Sequence, residues 1–288
     1  MGENIDEINA LENKAQRGKI RTIILKKRED YWNKDYAKYW MERVNEANDE
    51  RLNSSQIVIE DSKTTSNNSY INAISLLKIK KTEDVIEIGC GFGRSLHFLS
   101  KLAKNVTALD ISVSMIEIAK DNIKSNNVFF VVSPSEKTPF SRNSFNVAVC
   151  FASFDAMYQT EALIEINRIC KKNARVLITG KNDNYYDDDL AAFNAEIGAR
   201  NKKHPNYFTD VNKLIRMIED FGFIIDVEQY YLRRGDFSLG NFKFNFPDKF
   251  YEYLFVLRKI SDANIKKGEI ISGTMSKTYI RKSSKLDH

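Results

Sequence analysis

The sequence predicts an α/β fold with a mostly parallel sheet and helices on both of its faces. Three observations carry this. Short β-branched runs alternate with helical patterns from residue 81 to about 181. A glycine-rich turn, Gly89-Cys90-Gly91-Phe92-Gly93, joins the first run to the first pattern, and an acid, Asp110, closes the second run.

In chain order the strands are "DVIEI", "NVTALD", "VFFVV", "NVAVCF" and "RVLITG". Between them lie "GRSLHFLSKLA", "SVSMIEIAKDNIKSN" and "TEALIEINRICKK", with apolar residues three and four apart, the spacing of a helix with one buried face. Cys170 closes the last of these helices. A further helix, "FTDVNKLIRMIEDFGF", is started by Thr209 or Asp210 and stopped by Gly222. Two more runs, "FIIDVEQYYL" and "FYEYLFVLRK", bring the strands to seven. Ahead of the sheet, residues 1–80 read as a polar helical extension with an aromatic cluster, "EDYWNKDYAKYWMERVNEAN". The organisation expected is an N-terminal lid over 1–80, a domain over 81–260 with a lid insert at about 183–208, and a loosely held polar tail over 261–288.

Composition narrows the function classes. Hydrophobic residues make up 42% and charged residues 29%, ordinary values for a water-soluble domain. The net charge of +5 is scattered apart from "KKRED" and "RKSSK", which is modest for a phosphate-backbone binder. Cys90, Cys150 and Cys170 show no metal-type pairing and read as buried free thiols of a reducing compartment. No metal site is expected. The N-terminus lacks the apolar core of a signal peptide, and no 18-residue apolar run is present, so a cytoplasmic protein is expected.

The glycine turn decides the ligand. A dinucleotide turn needs a small residue at position 94 for close helix packing, and Arg94 stands there. The lysine-bearing phosphate loop is absent. What remains is G-x-G-x-G with Glu87 two residues ahead and Asp110 at the next strand end. Glycines let backbone N–H groups approach a ligand, and the following helix points its N-terminus at a carboxylate. Glu87 can receive an ammonium, and Asp110 both hydroxyls of a ribose. A ligand with an amino-acid end and a ribose end matches S-adenosylmethionine.

These segments resemble the class I S-adenosylmethionine-dependent methyltransferases over roughly residues 70–235. "VIEIGCGFG" is similar to the family's first motif and "ALDISVSMIEIAK" to its second. "SPSEKTPFSRNSFNVAVCF", "LIEINRICKKNARVLITG" and "FTDVNKLIRMIEDFGF" resemble three later segments, in the family's order. The resemblance implies a Rossmann-like, seven-stranded class I fold with S-adenosyl-L-methionine as cofactor. It implies cofactor contacts from Glu87, Gly89, Gly91, Gly93 and Asp110, with Ile111 and Met115 flanking adenine. Pro134 replaces the family's acid near the adenine amino group, so Ser135 and Glu136 are the expected substitutes. "KPGG" of the family is "KKNA" here.

Methyl transfer from a sulfonium needs alignment and exclusion of water more than a fixed triad. Residues after the fourth and fifth strands should therefore face the acceptor. Phe151 is placed beside the cofactor, with Trp40 and Arg43 closing over the methionine end. His204, on the expected lid loop, and Asp155, after the fourth strand, are the candidate proton acceptors. Tyr36, Tyr39, Tyr158, Lys181, Asn182, Asn184, Arg233 and Arg234 are the candidate acceptor-binding residues. Ordinary helix packing competes for the aromatics, helix capping for Asp155 and surface charge for the arginines. His97 is assigned to packing or surface.

The reading that results is a methyltransferase acting on an oxygen, or less favourably a nitrogen, of a small polar acceptor such as a sugar or phosphorylated metabolite. A weaker likeness in "ITGKNDNY", "HPNYFTD" and the N-terminal "YW" points to bacterial surface-glycan pathways. An RNA or protein methyltransferase, a non-catalytic cofactor-binding protein and an NAD-dependent oxidoreductase are the competitors.

Overall fold

The computed structural model describes residues 28–36, 38, 67–201, 204, 206–265 and 269–272. Tyr39, Trp40 and Arg43 lie outside them.

Helix α1 (Asn67–Ser75) leads into seven strands: β1 (Asp84–Ile88), β2 (Asn105–Asp110), β3 (Val128–Val132), β4 (Phe145–Cys150), β5 (Cys170–Lys181), β6 (Phe223–Tyr231) and β7 (Glu252–Lys259). Their spatial order is β3-β2-β1-β4-β5-β7-β6. The pairs among β1 to β5 are parallel, and β7 runs antiparallel to both β5 and β6. All seven expected runs are strands. The connecting helices are α2 (Leu96–Leu102), α3 (Val113–Asn122), α4 (Gln159–Ile169), α5 (Leu190–Asn201) and α6 (Val211–Met217), with the short α7 (Asp236–Leu239) before β7.

Central strands are apolar on both faces because helices cover both. Val85 and Val106 pack with Leu96, Leu99 and Ile116 on one side, and Ile86, Ile88 and Ala148 with Leu163, Ile166 and Leu214 on the other. Asp210 caps α6 by accepting from Lys213 N at 2.8 Å. Gly222 turns the chain into β6 at φ +78°, where a Cβ would lie 2.3 Å from Ser261 O. All three thiols are buried, and burial pushes Cys150 and Cys170 up to about 12, so they are unreactive.

Two local expectations are adjusted. Cys170 caps α4, its N–H donating to Ile166 O, and also opens β5; the "KKNA" stretch then bulges, with Asn173 at φ +64°. Asparagine tolerates this left-handed backbone better than most residues that carry a side chain. Past residue 260, Ile271 is fully buried; its N–H is bonded to Thr160 Oγ1 and its carbonyl accepts from Asp210 N. An apolar residue inside an otherwise polar stretch finds the core.

Lys259 shows how tightly the sheet's end is tied. Its buried ammonium donates to Asn167 O at 2.8 Å and Cys170 O at 3.0 Å, carbonyls left over at the end of α4. Lys259→Ala should therefore cost about 2–4 kcal/mol, since both carbonyls lose a charged donor. Chemical denaturation would reveal it as a shifted midpoint with an unchanged slope.

Candidate functional site

The order of strands reverses between β1 and β4, so a crevice opens beyond their carboxyl ends. The glycine turn forms its floor. Gly89, Gly91 and Gly93 have φ of +71°, +52° and +93°, a backbone that side-chain-bearing residues rarely adopt. Gly91 N donates to Asp110 Oδ2 and Ser112 N to Asp110 Oδ1, both at 2.9 Å. One carboxylate thus ties the turn to the start of α3. Ser112 also caps α3 by accepting from Met115 N. Burial pushes Asp110 upward, against those backbone donors.

Glu87 lies beneath the turn. The Ser95 hydroxyl donates to its Oε1, whereas Oε2 is buried with no hydrogen-bond partner among the described residues. Burial pushes its carboxyl up to about 8, with Asp110 adding to the rise and Ser95 opposing it. An orphaned, buried acceptor on a ligand pocket suits an ammonium group. Asp110 is 9% exposed at the pocket edge, where a ribose diol would meet it. The residues present therefore fit an adenosyl amino acid.

The pocket is lined from the expected set by Glu87, Gly89, Gly91, Asp110, Ile111, Met115, Ser135 and Phe151. Gly93 is not on the wall. It faces α3, where a Cβ would come within 3.1 Å of Ile123, so its small size serves helix packing. Glu136 is also turned away from the wall: its carboxylate accepts from Arg28 Nη1 at 2.9 Å and from Tyr158 N at 2.8 Å. Burial alone would raise Glu136, but those two donors hold it below the usual carboxylate range.

Above the floor, an N-terminal segment crosses the opening. Trp32–Tyr36 forms one wide helical turn, and Arg28, Trp32 and Tyr36 join the pocket wall together with His204. The Trp32 ring centroid is 4.3 Å from Tyr36 and 4.9 Å from His204. Tyr31 Oη and His204 Nδ1 are hydrogen-bonded at 3.1 Å. Asn33 anchors the segment: its side chain accepts from Ser112 Oγ at 3.0 Å, and its carbonyl accepts from Ser114 Oγ at 3.0 Å. Two distant stretches, both expected as lids, meet over one cavity.

Other candidates are engaged elsewhere. Asp155 is 4% exposed, and its carboxylate accepts from Lys181 N at 2.9 Å and from Lys181 Nζ at 2.7 Å. That pair fastens the end of β5, so neither side chain stands on the pocket wall. Asn182 donates to Asn184 O and Phe250 O, and Asn184 donates to Asp248 O; both hold loops together. Arg233 forms a forked pair with Asp188, and Arg234 donates to Tyr251 Oη at 3.0 Å. Acids 45 positions upstream meet the Arg233 guanidinium and the Arg234 backbone N–H, which no local pattern reveals. Tyr158 lies under the Arg28 guanidinium at 4.5 Å. His97 is exposed.

Sequence reasoning missed several wall residues. Ala152 takes φ +47° just after β4, a strained backbone common at functional sites, while Arg94 stacks on Tyr70 at 4.4 Å. Arg28 lies inside "KKRED", one of the two segments where basic residues gather. Among the described residues no group of three or more His, Cys, Asp or Glu could hold a metal, and no helix is long and apolar enough to cross a membrane.

Comparison with known proteins agrees with this fold. Residues 86–178 match the family described as "Methyltransferase domain". The ribosomal protein L11 methyltransferase of Thermotoga petrophila is 26% identical over 103 residues, 35% of this chain and 38% of that protein. The chain thus spans well under half the length of the curated relatives it matches. Among solved structures, the YcgJ protein from Bacillus subtilis aligns over 68% of this chain and 100% of its own, with TM-score 0.51 and 17% identity. Geranyl diphosphate C-methyltransferase from Streptomyces coelicolor A3(2), solved with S-adenosyl-L-homocysteine, aligns over 66% of this chain and 76% of its own, with TM-score 0.52 and 13% identity. These structural likenesses speak to the fold.

Proposed function

We propose that this chain, a member of the class I S-adenosylmethionine-dependent methyltransferases, moves the cofactor's methyl group to an oxygen of a small polar acceptor. A sugar or a phosphorylated metabolite is the acceptor class that suits the site. The observation that carries the reading is the covered pocket: Glu87 and Asp110 on the floor, with Trp32, Tyr36 and His204 across the opening. A roof of this kind leaves room for a small acceptor and excludes water.

S-adenosylmethionine supplies a sulfonium-bound methyl, and the rest is done by the chain. Glu87 holds the ammonium, Asp110 the ribose diol, and Ile111 and Met115 flank the adenine. The main chain of the glycine turn receives the carboxylate. The segment carrying Trp32 closes the cavity, fastened through Asn33 to the same turn that Asp110 organises. His204 is the candidate acceptor of the hydroxyl proton. Residues 28–36 and the loop around His204 act as the lid, and residues 81–260 as the catalytic domain.

A protein acceptor is the second reading, favoured by the likeness to the ribosomal protein L11 methyltransferases. The test is release of S-adenosylhomocysteine against hydroxylated and phosphorylated small molecules and against ribosomal protein L11. Turnover with a small acceptor is expected, together with at least tenfold weaker cofactor binding in Asp110→Ala, a loss of about 1.5–3 kcal/mol. Turnover on L11 alone would transfer the assignment to the second reading.

A further inference from the structure

One buried donor on the roof lacks an acceptor among the described residues. Arg28 is 5% exposed and borders the pocket, yet its Nε has no hydrogen-bond partner among the described residues. Glu136 occupies only Nη1, at 2.9 Å, and the Tyr158 ring packs against the guanidinium at 4.5 Å. A guanidinium offers five donors in a rigid fork, and leaving one dry and unpaired is costly. An ion pair alone leaves that donor unexplained in a residue that lines the ligand cavity. The fork suits two-oxygen anions above all.

Position separates this donor from the cofactor's head. Arg28 leans on Glu136 and Tyr158, which follow β3 and β4, whereas Glu87 lies in β1 and the glycine turn follows it. It also borders the cavity with Trp32, Tyr36 and His204, the segments laid across the opening. We propose that Arg28 is a specificity residue that takes a carboxylate or phosphate group of the acceptor. The inference rests on the methyltransferase reading and narrows its acceptor to an anionic one.

Calorimetry on the full chain tests it in three arms. Wild-type protein is first titrated with S-adenosylhomocysteine. The saturated protein is then titrated with inorganic phosphate and with benzoate at constant ionic strength. Arg28→Met should weaken the binding of one of these anions at least tenfold and leave S-adenosylhomocysteine affinity within threefold. Arg28→Lys, which keeps the charge and loses the fork, should fall between. Glu136→Gln breaks the ion pair but keeps the guanidinium, so anion binding should be retained or tightened; a purely structural pair predicts loss in both variants. If Arg28→Met weakens S-adenosylhomocysteine tenfold but not 5′-methylthioadenosine, which lacks the amino-acid head, the anion is the cofactor's own and the acceptor assignment is overturned. Binding of S-adenosylhomocysteine without any Arg28-dependent anion binding overturns this proposal alone. No binding of S-adenosylhomocysteine to wild type removes the underlying reading as well.

Discussion

Gly89→Ala is expected to lower the melting temperature by roughly 6–12 °C and S-adenosylhomocysteine affinity by about 100-fold. Two costs add. At φ +71° a side chain forces the left-handed backbone, which costs about 1–2 kcal/mol. The new Cβ would also lie 2.5 Å from both Cβ and Oγ of Ser153. Ser153 cannot swing aside freely, because its hydroxyl donates to Ile88 O at 3.0 Å and its Cβ is fixed to the backbone. Relieving the overlap costs about a further 1–3 kcal/mol and displaces the turn whose Gly91 N–H holds Asp110. The double variant Gly89→Ala with Ser153→Gly keeps the backbone cost and removes the overlap with the serine side chain, so it should be more stable than Gly89→Ala with Ser153 intact once the loss from Ser153→Gly alone is subtracted. Scanning fluorimetry and calorimetry read both quantities. Affinity within twofold of wild type in the single variant would show that the turn is not the cofactor floor.

What could be read in advance was whatever leaves a local trace. Strands buried on both faces give unbroken apolar runs, and Asp210 announces a helix start because its side chain serves a neighbouring N–H. Cys170 caps its helix as the spacing of Ile166, Ile169 and Cys170 suggests, but the same spacing hides that β5 opens at that residue. The three turn glycines look alike in sequence, but Gly91 lines the pocket and Gly93 faces Ile123 across a helix contact. That distinction is tertiary.

The roof shows the same limit from the other side. His204 and Tyr36 were singled out from type and placement, and both border the cavity. Arg28 lies 108 positions from Glu136, and Asn33 lies 79 from Ser112, separations at which single-sequence periodicity says nothing. The polar residues at the ends of β5 and β6 find partners that are likewise distant in sequence. Asp155, Asp188 and Asp248 meet Lys181, Arg233 and Asn184 only once the sheet is assembled.

Cofactor affinity is expected to climb about tenfold per pH unit up to about pH 8, with one proton released on binding below that point. Burial is the main cause: it pushes the Glu87 carboxyl up to about 8, with Asp110 adding and the Ser95 hydroxyl opposing. At pH 7 the ligand-free group is therefore mostly protonated, and an arriving ammonium must expel that proton before the pair can form. Calorimetry in buffers of different ionisation heat counts the proton directly. Glu87→Gln should flatten the dependence, and Ser95→Ala, which removes the opposing hydroxyl, should move it to higher pH. The same group dictates the ligand-free protein's stability. An unfolded glutamate titrates near 4.3, so between about pH 4.3 and 8 the native state holds one proton more than the unfolded chain. Native stability contributed by this group is then complete below about pH 4.3. It falls by up to about 1.4 kcal/mol per pH unit as pH rises and levels off above about 8. Saturating S-adenosylhomocysteine should offset the decline, because the ammonium replaces the proton that the buried carboxylate lacks. Proton release near zero between pH 6 and 8, with binding intact, would place the ammonium away from Glu87.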